Sequence, residues 1–203
     1  MSEREDKEMT QYGFYFDQKV CAGCHTCQIA CKDRNRLDVG YLLRDVKSYE
    51  RGEFPAPAIY HFAKTCGHCT DAPCVKACPV GRARKDEETG IVYYDPEVAC
   101  LGDMCGLCIN ACPYDHPVMV VEKNQAMKCD MCRDLLAEGQ EPACVASCMM
   151  RVIKAGPVAE LKEKYGPDLV AALPCYPDGG SGTNFLTKPS PAALEKDFEE
   201  KET

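Results

Sequence analysis

The stretch CAGCHTCQIAC, residues 21–31, sets four cysteines in the pattern C-x2-C-x2-C-x3-C: Cys21, Cys24, Cys27 and Cys31. Three further groups follow it. They are Cys66, Cys69, Cys74 and Cys78; Cys100, Cys105, Cys108 and Cys112; and Cys129, Cys132, Cys144 and Cys148, each closing on C-x3-C. Sixteen of the seventeen cysteines are thereby grouped, and Cys175 reads as a spare thiol.

Two-residue gaps let a tight loop aim three sulfurs at one iron–sulfur cube, with a fourth about one helical turn further on. Bacterial ferredoxins use the run found at 21–31, and there the fourth sulfur ligates the neighbouring cluster while a following proline turns the chain away. Pro79 and Pro113 follow Cys78 and Cys112 in that way, whereas Lys32 and Met149 follow Cys31 and Cys148. At four thiolates per cubane, sixteen predict four [4Fe–4S] clusters and hence electron transfer. Zinc also takes Cys-x2-Cys pairs, but its sites are built from two separated pairs rather than an unbroken run of four. A disulfide scaffold would be under about 100 residues with a secretory signal.

The chain has 203 residues, no Trp, six Phe and ten Tyr, so its conventional apolar core must be thin and folding should depend on cluster assembly. The formal charge is -8; four oxidised clusters with their thiolates would add about -8 more. Such a chain has no general electrostatic reason to bind nucleic acid. The first ten residues, MSEREDKEMT, carry no apolar segment to act as a cleavable signal. Apolar runs such as Val118 to Val121 fall far short of the about 20 residues of a membrane span. Reduced thiols imply cytoplasmic assembly, with any membrane association or export left to a partner subunit.

The groups are of two alternating kinds. YGFYFDQKVCAGC (12–24) and IVYYDPEVACLGDMC (91–105) each read as a strand, an Asp, then a Val before the first ligand. FAKTCGHC…APCVKACP (62–79) and AMKCDMC…PACVASCM (126–149) share another frame. This is the mark of duplicated ferredoxin modules and predicts an α+β chain with two ferredoxin-like lobes. Only 21 residues separate Cys78 from Cys100, a turn and a hairpin arm. The second and third groups therefore form an inner lobe, 56–112. The first and fourth close around it as an outer lobe, 11–55 with 113–165. The 34 residues between Cys31 and Cys66 read as surface strands and loops, and PVAELKEKY (157–165) as a short helix with Val158, Leu161 and Tyr165 on one face. The segment 166–203 reads as a tail, either disordered or laid extended over a partner, and Phe185 and Leu186 within it favour the partner.

Together these residues resemble the iron–sulfur subunit of the dimethyl sulfoxide reductase family of molybdenum enzymes. The likeness covers roughly residues 11–165 and rests on QYGFYFDQKVCAGCHTCQIACKD, CGHCTDAPCVKACP, ACLGDMCGLCINACPY and MKCDMC…PACVASC, in the family's order. It implies four [4Fe–4S] clusters in two lobes, set between a large molybdopterin-containing catalytic subunit and a membrane anchor or other redox partner. It also implies the ligand sets: Cys21, Cys24, Cys27 and Cys148 for one cluster, and Cys31, Cys129, Cys132 and Cys144 for its neighbour. A third would take Cys66, Cys69, Cys74 and Cys112, and a fourth Cys78, Cys100, Cys105 and Cys108. Some relatives replace one third-group cysteine and bind a three-iron cluster; here all four are present. The sequence departs from the family pattern at Asp103 and Met104, which lengthen a ligand gap, at Asp115 and His116 after Cys-Pro-Tyr, and in the missing proline after Cys148.

Around the ligands, His25 and His68 read as solvent-facing loop residues or as hydrogen-bonding tuners of a cluster. His116 fills a turn, or titrates beside an inner cluster. Lys32, Arg34, Arg82, Arg84, Lys128, Arg133 and Arg151 stand close to ligands in sequence, where a cation would raise a cluster's potential; a solvated face is the alternative for most of them. No nucleotide-binding glycine pattern, paired carboxylates or Ser-His-Asp set is present, so the chain is expected to be a non-catalytic electron-transfer subunit. A free-standing polyferredoxin and a structural zinc protein are the other readings.

Overall fold

The computed structural model describes residues 9–201, so most of the polar leader and the last two residues of the expected tail lie outside the described residues. Strand β1 (Tyr12–Asp17) comes first, as the aromatic alternation YGFYFD predicts. Phe14 and Phe16 point to the main core, while Tyr15 faces the other side. Helix α1 (Thr26–Arg34) follows the first ligand loop and buries Cys27 and Cys31. Strands β2 (Arg44–Arg51) and β3 (Ala58–Thr65) form an antiparallel pair in register from Arg44–Thr65 to Arg51–Ala58. They are not the surface strands expected: Val46, Tyr49, Tyr60, Phe62 and Ala63 are all buried, because alternate positions of both strands face the core.

The second group opens α2 (Pro73–Lys76), with Pro73 at the first helical turn, where its missing N–H costs nothing. The expected hairpin is β4 (Ala83–Lys85) with β5 (Val92–Tyr94). Helix α3 (Leu107–Asn110) carries Cys108 of the third group, and β6 (Val118–Val120) pairs with β7 (Gln125–Met127) in a second hairpin. In the fourth group Cys132 caps the start of α4 (Arg133–Ala137) and Cys144 lies on α5 (Ala143–Ala146). Strand β8 (Ile153–Pro157) returns antiparallel to β1. Helix α6 (Val158–Tyr165) then packs its predicted face, with Leu161 buried beside Tyr15 and Leu186 and the Tyr165 ring stacked 3.7 Å from Tyr15.

The C-terminal segment corrects the expectation of an extended docking tail. Strand β9 (Phe185–Lys188) pairs in parallel with β1, Phe14 opposite Phe185, and β10 (Glu199–Lys201) pairs antiparallel with β2. Phe185 and Leu186 are buried inside this same polypeptide, along with Leu173, Tyr176 and Ala193. Burying a Phe side chain stabilises by about 1.5–3 kcal/mol, and the other buried side chains of the segment add to what draws it back onto the core. A single core results, in which Phe14, Phe62, Ile91, Met131, Val145 and Phe185 are interleaved with Cys27, Cys66, Cys69, Cys74, Cys129, Cys144 and Cys148.

Candidate functional site: four cysteine-lined cavities

The sixteen grouped cysteines line four separate cavities. Cys21, Cys24, Cys27 and Cys148 line one, with Phe16, Val46 and Met150 around them. Cys31, Cys129, Cys132 and Cys144 line a second, with Phe14 and Arg44. Cys66, Cys69, Cys74 and Cys112 line a third, with Tyr114, His116 and Lys128. Cys78, Cys100, Cys105 and Cys108 line a fourth, with Arg82, Tyr94 and Leu101. Each cavity thus draws cysteines from two groups. All four cysteines of the second cavity are buried, all four of the fourth are half-buried, and Cys24 in the first is exposed. Cys175 lines none of them.

The ligand loops take these shapes through left-handed backbone at fixed places. In the first group Gly23 (φ 63°) precedes Cys24 and His25 (φ 58°) follows it, leading into α1. In the third, Gly102 (φ 79°) precedes Cys105 and Gly106 (φ 57°) follows it, leading into α3. The extra residues Asp103 and Met104 leave that pattern intact, and Met104 projects into solvent. In the second and fourth groups the residue before the second cysteine is left-handed, His68 (φ 46°) and Met131 (φ 60°). Such positions cost a non-glycine residue about 1 kcal/mol or more, so their recurrence reflects the need to turn sulfurs inward. Gly67 is required by a close approach: a Cβ there would run into the Thr183 hydroxyl.

That approach exposes residues the sequence did not single out. Segment 181–184 lies along the second ligand loop through Asp71 N–H to Ser181 O (3.1 Å), Thr70 N–H to Gly182 O (2.9 Å) and Asn184 N–H to Gly67 O (2.8 Å). The Ser181 hydroxyl donates to Cys69 Sγ at 3.1 Å. Further donors to ligand sulfurs are Met131 N–H to Cys129 Sγ (3.3 Å), Ala83 N–H to Cys78 Sγ (3.4 Å) and Asn35 Nδ2 to Cys31 Sγ (3.7 Å). Burial pushes the thiols up, Cys27 and Cys69 to about 11, Cys31 and Cys74 to about 12. Loading these sites with metal therefore displaces protons.

Of the seven basic residues close to ligands in sequence, only Arg82 and Lys128 line a cavity. Arg34, Arg84 and Arg133 pair with Asp134, Asp95 and Asp86, and Lys32 and Arg151 reach backbone carbonyls. Lys128 is buried against the carbonyls of Val92 and Cys129. Arg82 donates to Val98 O (2.6 Å), Asp95 O (3.2 Å) and Gln125 Oε1 (3.0 Å). Sequence proximity missed Arg44, which is 1% exposed and lines the second cavity. Burial opposes its charge, yet the neighbouring Cys144, Cys27, Cys129 and Cys31 outweigh burial and raise its pKa.

The histidines also differ from expectation. His68 is fully buried rather than solvent-facing; its Nδ1 accepts from the Val92 N–H at 3.1 Å. His116 is buried, 3.0 Å from the Tyr176 hydroxyl, and burial, with Lys64, Lys128 and Arg44 nearby, lowers its pKa to about 3. It is neutral across the physiological range. His25 is half-buried on the wall of the first cavity.

The donor chemistry fits iron–sulfur cubanes. Each set is four soft thiols ringed about a mainly apolar space, and among the described residues no three His, Cys, Asp or Glu side chains converge as they would on one zinc ion. Fold and sites together define an iron–sulfur electron-transfer protein. The family described as 4Fe-4S dicluster domain matches residues 57–158. The sequence is 39% identical over 189 residues to the B subunit of the anaerobic dimethyl sulfoxide reductase of Shigella flexneri, covering 89% of this protein and 90% of that one. Against the corresponding B subunit of Haemophilus influenzae the figures are 37% over 192 residues, 90% and 91%. Protein NrfC of Escherichia coli is 40% identical over 152 residues, 72% of this protein and 65% of that one. The protein thus belongs to the family of iron–sulfur subunits of dimethyl sulfoxide reductase-type complexes. No helix among the described residues is long and apolar enough to cross a membrane.

Proposed function

We propose that this protein relays single electrons through four [4Fe–4S] clusters, between a molybdopterin-containing catalytic subunit and a membrane anchor or other redox partner. The observation that carries the reading is that the sixteen grouped cysteines line four separate cavities, four to each. The ligand sets are Cys21, Cys24, Cys27 and Cys148; Cys31, Cys129, Cys132 and Cys144; Cys66, Cys69, Cys74 and Cys112; and Cys78, Cys100, Cys105 and Cys108. The first two sets belong to the outer lobe (11–55 with 113–165) and the last two to the inner lobe (56–112). The recurrence of left-handed positions at Gly23 and Gly102, His25 and Gly106, and His68 and Met131 supports the duplication behind those lobes.

The bound cubanes supply reversible one-electron chemistry; the protein sets their order, dryness and access. Cys129 of the second set is influenced electrostatically by Cys66 of the third, which makes those two sites neighbours at the lobe junction. Cys27 of the first set couples to Cys144 of the second, and Tyr94 on the wall of the fourth cavity is influenced by Cys74 and Cys66 of the third. The sites therefore run in a line, buried at the middle and open at both ends. Val20, Ile29, Met149 and Met150 are exposed around the first, and Val80, Leu101, Met104 and Leu107 around the fourth. Apolar patches at the two ends of a relay suit partners that each bring a redox centre close. Assembly is cytoplasmic, with any membrane association or export provided by the partner.

Anaerobic purification followed by iron and acid-labile sulfide analysis tests the count. About sixteen of each per polypeptide are expected, and fewer than about twelve after reconstitution would defeat it. A free polyferredoxin carrier is the second reading, favoured by the folding of segment 166–201 onto its own core rather than into a docking arm. Native co-purification with a molybdopterin subunit decides against the carrier, and a protein that stays monomeric decides for it.

A further inference from the structure

Arg44 stands at the start of β2 with its guanidinium enclosed. Nη1 donates to Ala63 O at 2.8 Å, while Nε and Nη2 have no hydrogen-bond partner. The guanidinium lies over the Phe14 ring, 4.9 Å from its centroid, and among the described residues no carboxylate pairs with it. Asp130, on the same cavity wall, is held by the Cys132 N–H. Of the other buried cations, Lys128 donates to two backbone carbonyls, and Arg82 donates to two backbone carbonyls and Gln125 with only its Nε unpaired. Arg44 alone among the three keeps two enclosed, unsatisfied N–H groups on the wall of a four-cysteine cavity.

An unpaired buried charge costs several kcal/mol and is retained only opposite a compensating charge. The compensation available is anionic: a cubane with the thiolates of Cys31, Cys129, Cys132 and Cys144 carries roughly -2 when oxidised and -3 when reduced. We propose that Arg44 is the built-in counterion of the cluster held by Cys31, Cys129, Cys132 and Cys144, raising that cluster's reduction potential above that of its outer-lobe neighbour. The inference rests on the four-cluster reading. One electron arrives from an adjacent site, no bond is made or broken and no proton moves; Arg44 stays charged in both states and favours the more negative one. Arg44 also acts on Cys27 and Cys21 of the neighbouring set, but it lines only the second cavity, and the first has no Lys or Arg on its wall, so the fixed charge favours the second site over the first.

The test is an electron-paramagnetic-resonance redox titration of the reconstituted protein, with the signal assigned by its loss in Cys132→Ser. In Arg44→Met the assigned cluster's reduction equilibrium should fall at least about tenfold, which is 59 mV for one electron, with smaller changes at the other three. Arg44→Lys should recover at least half of that shift. If Arg44→Met does not load the site but Arg44→Lys loads it at near-native potential, the charge requirement is likewise upheld. The proposal is overturned if Arg44→Met and Arg44→Gln load fully with all four equilibria within about twofold of the native protein, or if Arg44→Lys falls as far as Arg44→Met. A native protein with fewer than about twelve irons would instead overturn the four-cluster reading, a result read from metal content before any variant is made.

Discussion

The Ser181 hydroxyl donates a hydrogen bond to the Cys69 sulfur at 3.1 Å, across 112 residues of chain. A donor to a cluster thiolate strengthens as the cluster gains negative charge, so it favours the reduced state. Ser181→Ala should lower the midpoint of the third cluster by about 40 mV, the voltage equivalent of about 1 kcal/mol of differential bonding for one electron. Redox titration with iron content held constant checks it, and an unmoved midpoint would show the bond to be redox-neutral.

Phe185 sits in the central core at 1% exposure, against Phe14, Phe16 and Phe62. Phe185→Ala should destabilise the isolated protein by about 3–5 kcal/mol. For a protein of this size that lowers the apparent Tm by about 6–20 °C. Circular dichroism on the anaerobic protein measures it. A side chain reserved for a partner would leave the isolated protein unaffected.

His116 carries a pH dependence of definite sign. Its folded pKa lies near 3, below the ordinary histidine value, because burial disfavours the imidazolium. Above about pH 6.5 neither the folded nor the unfolded state holds the proton, and the contribution to stability is complete. Below that the unfolded state takes it up first, and stability falls by about 1.4 kcal/mol per pH unit towards pH 3. His116→Gln should flatten that slope in apparent Tm between pH 6.5 and 5.5.

Cys175 is half-buried against the main core, and burial raises its thiol pKa to about 11. Cys175→Ala should keep the full iron content and visible spectrum. Cys132→Ser, by contrast, should lose iron from one site, read by metal analysis and by the missing resonance signal.

The cysteine array was legible because ligand chemistry writes itself into local spacing: two-residue gaps, a helical turn, a following proline at Pro79 and Pro113. Strand β1, the hairpin 83–94 and helix α6 were legible for the same reason, each being a short-range pattern of aromatic or apolar residues. What escaped was non-local. Arg44 sits thirteen residues beyond the nearest cysteine in sequence, so nearness to a ligand singles out Arg34, Arg84 and Arg133 in its place, and those are turned to carboxylates. His68 lies inside a ligand loop, and its burial is decided by Phe14 and Val92, far along the chain. The stretch 174–191 has no apolar period because its residues are used singly: Tyr176 against Tyr114, Ser181 on Cys69, Phe185 beside Phe14.

The parallel pairing of Phe14 with Phe185 sets a schedule for biosynthesis. Strand β1 leaves the ribosome early and its partner β9 late, so for nearly the whole of translation one edge of β1 is open and the loop holding Cys66 and Cys69 lacks its Ser181 cover. The residues that line the third site are all in place by Lys128, and the C-terminal segment then adds the Ser181 donor. A protein truncated before residue 181 would therefore keep every cysteine of that cavity while losing the hydroxyl donor to Cys69 and the strand that covers β1.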